Sequence, residues 1–165
     1  MNIYKKKFSK SYLILIFFIF LALIFYFAIN IFKKKNELVL QPISINLLTS
    51  VHPKLAWSFK PVKSQIIAQP GEVIAVEYIV ENLSTKATTG IATFAYYPSQ
   101  FGNYVNKINC FCYDAQNMKP NQKNKFVLVL LIDPEVTKDS KTKDIKEATI
   151  QFTFFDYIDY KEKES

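Results

Sequence analysis

Two cysteines stand in the stretch YVNKINCFCYD, Cys110 and Cys112, and the chain of 165 residues holds no other thiol. Two sulfurs so close invite four readings. In an extended segment, residues i and i+2 share a face with Cα atoms about 6.5–6.8 Å apart. That is the far edge of what a disulfide spans, and such a bridge encloses almost no loop, so a structural staple is a poor use of the pair. Two inert core cysteines are a second reading, since free cysteine packs as a small hydrophobe. Thiol–disulfide exchange is a third, although its usual pattern is C-x-x-C at a helix start, where the dipole lowers one thiol pKa. The fourth is a soft metal: two thiolates on one face suit Cu(I), which prefers sulfur and accepts low coordination. Structural zinc needs four ligands, and only His52 and the thioether of Met118 stand in reserve. Both read first as an ordinary loop histidine and a packing residue. Two chains could pool four thiolates and shield copper that one leaves half exposed.

The elements that must position these cysteines follow from hydropathy. Residues 11–32 carry no charge, and the run YLILIFFIFLALIFYFAI is almost wholly apolar. Crossing a hydrocarbon core takes about 20 such residues. A cleaved signal peptide would have a shorter apolar core and a small-x-small site, and this run ends in AINIFKKK instead. A buried soluble helix fits poorly, because the run is apolar on every face. The reading is a single-pass transmembrane helix, a signal-anchor over 11–32, after a cytoplasmic tail of residues 1–10. Lys5, Lys6, Lys7 and Lys10 precede it, and Lys33, Lys34 and Lys35 follow. That excess favours a cytoplasmic N-terminus and an exported C-terminal domain. An exported pair of adjacent thiols faces oxidising conditions and is a liability unless used.

Charge narrows the function classes. The formal net charge is +7, but seven of the 21 lysines lie before residue 36 and all 14 acidic residues lie after it, so the remainder is neutral. The chain has no arginine, which removes the best bidentate reader of phosphate and guanine. Nucleic-acid binding is excluded on these grounds. After a linker over 33–42, short runs rich in Val, Ile, Phe, Tyr and Thr alternate with turn residues. ISINLLTSV, AWSFKPV, SQIIAQ, EVIAVEYIVEN, IATFAYYP, KFVLVLLID and EATIQFTFFDY are the expected strands. EVIAVEYIVEN should bury Ile74, Val76, Tyr78 and Val80. KFVLVLLID reads as a strand buried on both faces, and Pro70-Gly71 as a turn. The spacing, with no convincing amphipathic helix, predicts an all-β domain over 43–158, an immunoglobulin-like β-sandwich, with Trp57 in its core and a frayed tail over 159–165.

NKINCFCYDAQNMKP resembles the NKIQCFCF region of the CtaG family, the copper-delivery proteins that assemble cytochrome c oxidase. LAWSFKPV resembles that family's LPWEFKP stretch, and the Gly71–Ile108 region, LIDPE and FTFF also fit, so the resemblance covers about residues 43–157 in order. It implies one membrane span, an exported immunoglobulin-like domain, and Cu(I) bound by Cys110 and Cys112. It further implies dimerisation on loading and delivery to the CuB centre of cytochrome c oxidase subunit I. On this reading Phe111 and Tyr113 point away from the sulfurs and pack. Tyr104, Asn106 and Lys107 shape a docking surface or the metal's surroundings, or else serve strand pairing and solvation. Three departures stand out. Tyr113 replaces the last Phe of the motif, the cysteine many members carry near the span is missing, and Phe126 holds a position usually occupied by methionine.

The implied mechanism is ligand exchange and not catalysis. An upstream copper donor and a thiol reductant are then needed partners, and the anchor confines the carrier to its client's membrane. A bacterial inner membrane with a periplasmic domain is expected over a mitochondrial inner membrane, because a mitochondrial presequence is arginine-rich. Two other classes stay open: a membrane-anchored thiol-disulfide oxidoreductase, and a β-sandwich interaction module of the cell envelope.

Overall fold

The computed structural model describes residues 10–36 and 40–164. Two compact units divide near Val39–Leu40. The first contains α1 (Lys10–Asn36). Its large side chains are exposed all round, with Phe17, Phe18, Phe20 and Phe25 each more than 60% exposed. Among the described residues no helix is long and apolar enough to cross a membrane. The side chains described in α1 run only from 14 to 30, and the flanks that lengthen the apolar run lie outside them, as do most of the expected tail (1–10) and part of the linker. The helix extends past the expected boundary at residue 32.

The second unit is a two-sheet β-sandwich. One sheet has five strands in the order β3 (Gln65–Ala68), β1 (Ile43–Val51), β9 (Glu147–Asp156), β5 (Thr88–Tyr97) and β7 (Gln116–Met118). The other has four, β2 (Trp57–Pro61), β4 (Val73–Asn82), β8 (Lys123–Ile132) and β6 (Val105–Asn109). Alternation writes each inner face. β9 buries Ala148, Ile150, Phe152 and Phe154, and β4 buries Val76, Tyr78 and Val80 with Ile74 half-buried. β1 and β9 run parallel from Ser44↔Glu147 to Val51↔Phe154, while β4 and β8 are antiparallel. Gly71 makes the Pro70-Gly71 turn with φ of +92°, a conformation side chains resist.

Trp57 lies in the core, 5% exposed, and its indole N–H donates to Thr88 Oγ1 at 2.8 Å. Two expectations are corrected. β8 is not buried on both faces: Leu128, Leu130 and Ile132 are buried, whereas Val127, Val129 and Leu131 on the other face are half-buried. The tail is not frayed through 164, because Tyr157–Glu164 forms α2, held by Lys54–Asp159 at 2.8 Å and by Asp156 Oδ1 accepting from the Ile158 N–H at 3.0 Å. Two 3-10 turns, Ser99–Tyr104 and Pro134–Thr137, also break the run of strands.

Candidate functional site

The cysteines lie where the chain crosses from one sheet to the other. β6 is the edge of the four-stranded sheet and β7 the edge of the five-stranded one, so residues 110–115 bridge the two sheet edges at one end of that side. β6 ends irregularly: Lys107 faces Leu130 and Asn109 faces Val129, which leaves Ile108 as a bulge. The bulge resets the alternation and turns Cys110 inward, where it is 4% exposed.

The segment then turns and does not stay extended. The Tyr113 N–H donates to the Cys110 carbonyl at 3.2 Å, and the Cys112 N–H donates to Cys110 Sγ at 3.1 Å. This corrects the extended i, i+2 geometry. The turn brings the Cα atoms of Cys110 and Cys112 to 5.0 Å, well inside disulfide range, and the two sulfurs are bonded to each other. The site is therefore in its oxidised form. Cys112 is half-buried and is the more open of the two.

Phe111, between them, anchors the turn. Its ring meets Phe152 at 5.0 Å, Tyr78 at 5.4 Å, Phe126 at 5.5 Å, Phe59 at 5.7 Å and Phe154 at 5.9 Å. With Phe111 driven into the core, Cys110 is buried beside it and Cys112 stays half-buried. Gln116 fastens the other flank, donating from Nε2 to the carbonyls of Phe111 and Asp114, each at 3.1 Å. Phe126 thus fills its position as a packing partner of Phe111.

Phe111 packs as expected, and Tyr113 does not. Tyr113 is 55% exposed, and its hydroxyl donates to the Lys107 carbonyl at 2.7 Å, tying the turn back to β6. Met118 is fully buried in the core, so it is a packing residue and takes no part in a docking surface. Tyr104 is half-buried and tied into the fold: its hydroxyl donates to Asp139 Oδ2 at 2.5 Å, and its carbonyl accepts from the Asp133 N–H at 2.8 Å. That hydrogen bond raises the Tyr104 pKa. Asn106 is exposed on the outer side of β6. Lys107 is not simply solvated, because its ammonium lies 2.8 Å from the Phe94 ring centroid. Burial pushes its pKa down to about 8.

His52 sits at the end of β1, tilted on Phe155 at 5.5 Å, with Nδ1 accepting from the Lys54 N–H. Among the described residues no group of three His, Cys, Asp or Glu side chains converges to hold a metal. Soft-metal binding here would rest on the two sulfurs after reduction, together with ligands from outside this chain.

One supporting residue escaped the sequence reading, and one placed in the core by it carries a feature that the pattern does not show. Asn82 is fully buried, and its amide donates to the carbonyls of Lys86, Met118 and Lys119 at 2.9, 3.1 and 3.1 Å. It thereby holds the β4–β5 loop to β7. An asparagine at a strand end signals a turn, which hints at the first contact but not at the other two. Tyr78 is fully buried against Phe111, and among the described residues its hydroxyl has no hydrogen-bond partner. Alternation places Tyr78 inside but says nothing of its hydroxyl.

The fold and site define a two-sheet β-sandwich with a bonded cysteine pair on the turn joining its sheet edges. Residues 27–156 match the family model for the cytochrome c oxidase assembly protein CtaG/Cox11. The chain is 40% identical over 124 residues to the cytochrome c oxidase assembly protein CtaG of Sinorhizobium fredii, covering 74% of this chain and 62% of that protein. It is 39% identical over 106 residues to the CtaG of Rhizobium etli (64% of this chain, 52% of that protein), and 34% identical over 113 residues to that of Nitrobacter hamburgensis (68% and 52%). The chain belongs to the CtaG/Cox11 family of cytochrome c oxidase assembly proteins. It spans between about half and just under two thirds of the length of these relatives.

Proposed function

We propose that the chain is a copper carrier for cytochrome c oxidase assembly, holding Cu(I) on the reduced Cys110–Cys112 pair and passing it to the CuB centre of subunit I. The observation that carries this reading is the pair itself. Two sulfurs sit side by side on a rim turn, one half-open to solvent, with Phe111 as a rigid anchor between them. The relatives' names tie such a chain to oxidase assembly.

The oxidised pair cannot ligate copper until it is reduced. A dithiol reductant would supply two electrons and two protons, becoming a disulfide itself and leaving two thiols. Cu(I) then displaces the thiol protons, because the thiolate is the ligand. Few sulfurs, one of them half-open, favour handover by ligand exchange, with no bond of a substrate made or broken. Pairing of two copies would complete the sulfur shell. The parallel β1–β9 pair and two-sheet layering support an immunoglobulin-type sandwich.

The apolar, all-round exposed face of α1 supports a membrane span. Together with the lysine asymmetry, it supports a reading in which the sandwich is exported across a bacterial inner membrane. Serine at both cysteines separates the candidate roles. A copper carrier loses stoichiometric Cu(I) binding, an oxidoreductase loses disulfide reduction without any dependence on metal, and an interaction module keeps its partner. Tight Cu(I) binding retained by the double variant sinks the copper reading.

A further inference from the structure

We infer that the open side of the sandwich between β5 and β6 is a docking cleft for an extended segment of a partner protein that presents a carboxylate to Lys107. Nothing in this depends on copper binding.

The first observation is a free strand edge. β5 pairs with β9 from Gly90 to Tyr97, but β7 covers its other side only from Thr88 to Gly90. Across the gap β6 pairs with no strand but β8, and its Lys107 carbonyl accepts from the Tyr113 hydroxyl. Unpaired strand edges recruit strands, and soluble proteins ordinarily blunt them.

The second observation is the lining. Phe94 shares the inward face of β5 with buried Ala92 and yet is 43% exposed, because no strand continues over it. Its ring lies 5.5 Å from that of Tyr96. Tyr96 is backed by Gly102, where a Cβ would come within 2.4 Å of the ring, so this wall is built in advance. Exposed Tyr97 and Ile108 flank the opening.

The third observation selects the occupant. Lys107 shares the inward side of β6 with buried Val105, so its ammonium points into the cleft and rests over Phe94. Among the described residues it has no carboxylate within ion-pair distance. A cation held in an apolar mouth without a counter-charge favours an anionic partner group. A second copy laid on the same edge fits poorly, because a twofold axis there brings two Lys107 ammoniums together. An uncharged strand leaves the cation uncompensated.

The test uses the full oxidised chain in detergent micelles and a labelled peptide, acetyl-Val-Thr-Val-Glu-Val-Thr-Val-amide, read by fluorescence anisotropy. Binding is expected to weaken about tenfold when the peptide's Glu becomes Gln, and by a similar factor for Lys107→Gln. The two changes together should cost no more than either alone, and Lys107→Arg should restore most of the loss. N-methylation of alternate peptide amides should abolish binding. The Cys110→Ser/Cys112→Ser variant should bind the peptide as the wild type does, so this result and the copper result stand or fall separately. Equal affinity for the Glu and Gln peptides, indifference to Lys107→Gln, or no binding by the wild type overturns the inference.

Discussion

Replacing Phe111 by alanine tests how the cysteine turn is held. The ring is 8% exposed and touches five aromatic rings drawn from β2, β4, β8 and β9. Removing a buried Phe costs about 3–5 kcal/mol. Aromatic pairs add about 0.5–1.5 kcal/mol each beyond area. Five pairs at one ring place Phe111→Ala toward the upper end of that range, about 4–5 kcal/mol. Phe111→Leu keeps most of the volume and should cost less than about 2 kcal/mol. The assay is urea unfolding of the oxidised full chain in detergent, read by the fluorescence of Trp57, the one tryptophan and only 5% exposed. A loss below about 1 kcal/mol for Phe111→Ala would refute the anchor, because no well-packed phenylalanine is removed so cheaply.

Three further outcomes follow from the same packing. Tyr78→Phe removes a buried hydroxyl with no partner and should leave stability unchanged or raise it by about 1 kcal/mol; a loss of that size in urea unfolding contradicts the assignment. Asn82→Ala removes a buried amide that donates to the carbonyls of Lys86, Met118 and Lys119 and accepts from the Ser84 N–H; the Lys86 and Lys119 carbonyls keep Ser84 Oγ and the Gln122 N–H, so the change should cost about 1–2 kcal/mol in the same assay. Lys107, with a pKa lowered to about 8, binds fewer protons folded than unfolded between pH 8 and its ordinary value of 10.5. Its contribution to stability should therefore rise as pH climbs from 8 toward 9, where unfolded tyrosines, with a pKa of about 10, are still largely protonated. Lys107→Met should remove that slope, and identical slopes in the two proteins would contradict the burial of the ammonium.

Much of the sandwich was legible because alternation survives in β1, β4 and β9, whose inner faces are runs of Ile, Val, Ala, Tyr and Phe. β8 misled because its outer face is apolar too, although only half-buried. The cysteine turn was harder. N-C-F-C-Y alternates like a strand, and the bulge at Ile108 that breaks the register is made by pairing with β8, which local pattern does not encode. The two sulfurs were found by type and spacing, but their closeness depends on a turn fixed by Phe111 inside and Tyr113 outside. α2 was missed because its polar run has little apolar periodicity, and its hold on Lys54 is a contact across the fold. The inward aim of Lys107 was invisible for the same reason: a lysine on an edge strand ordinarily reads as solvated.

The central claim is that the reduced Cys110–Cys112 pair holds Cu(I). Its most direct test is an anaerobic Cu(I) titration of the full chain before and after reduction, against a chromophoric Cu(I) chelator, with the double serine variant alongside. The account predicts stoichiometric, tight binding by the reduced chain only, and none by the oxidised chain or the variant. Equal copper uptake by all three would contradict it.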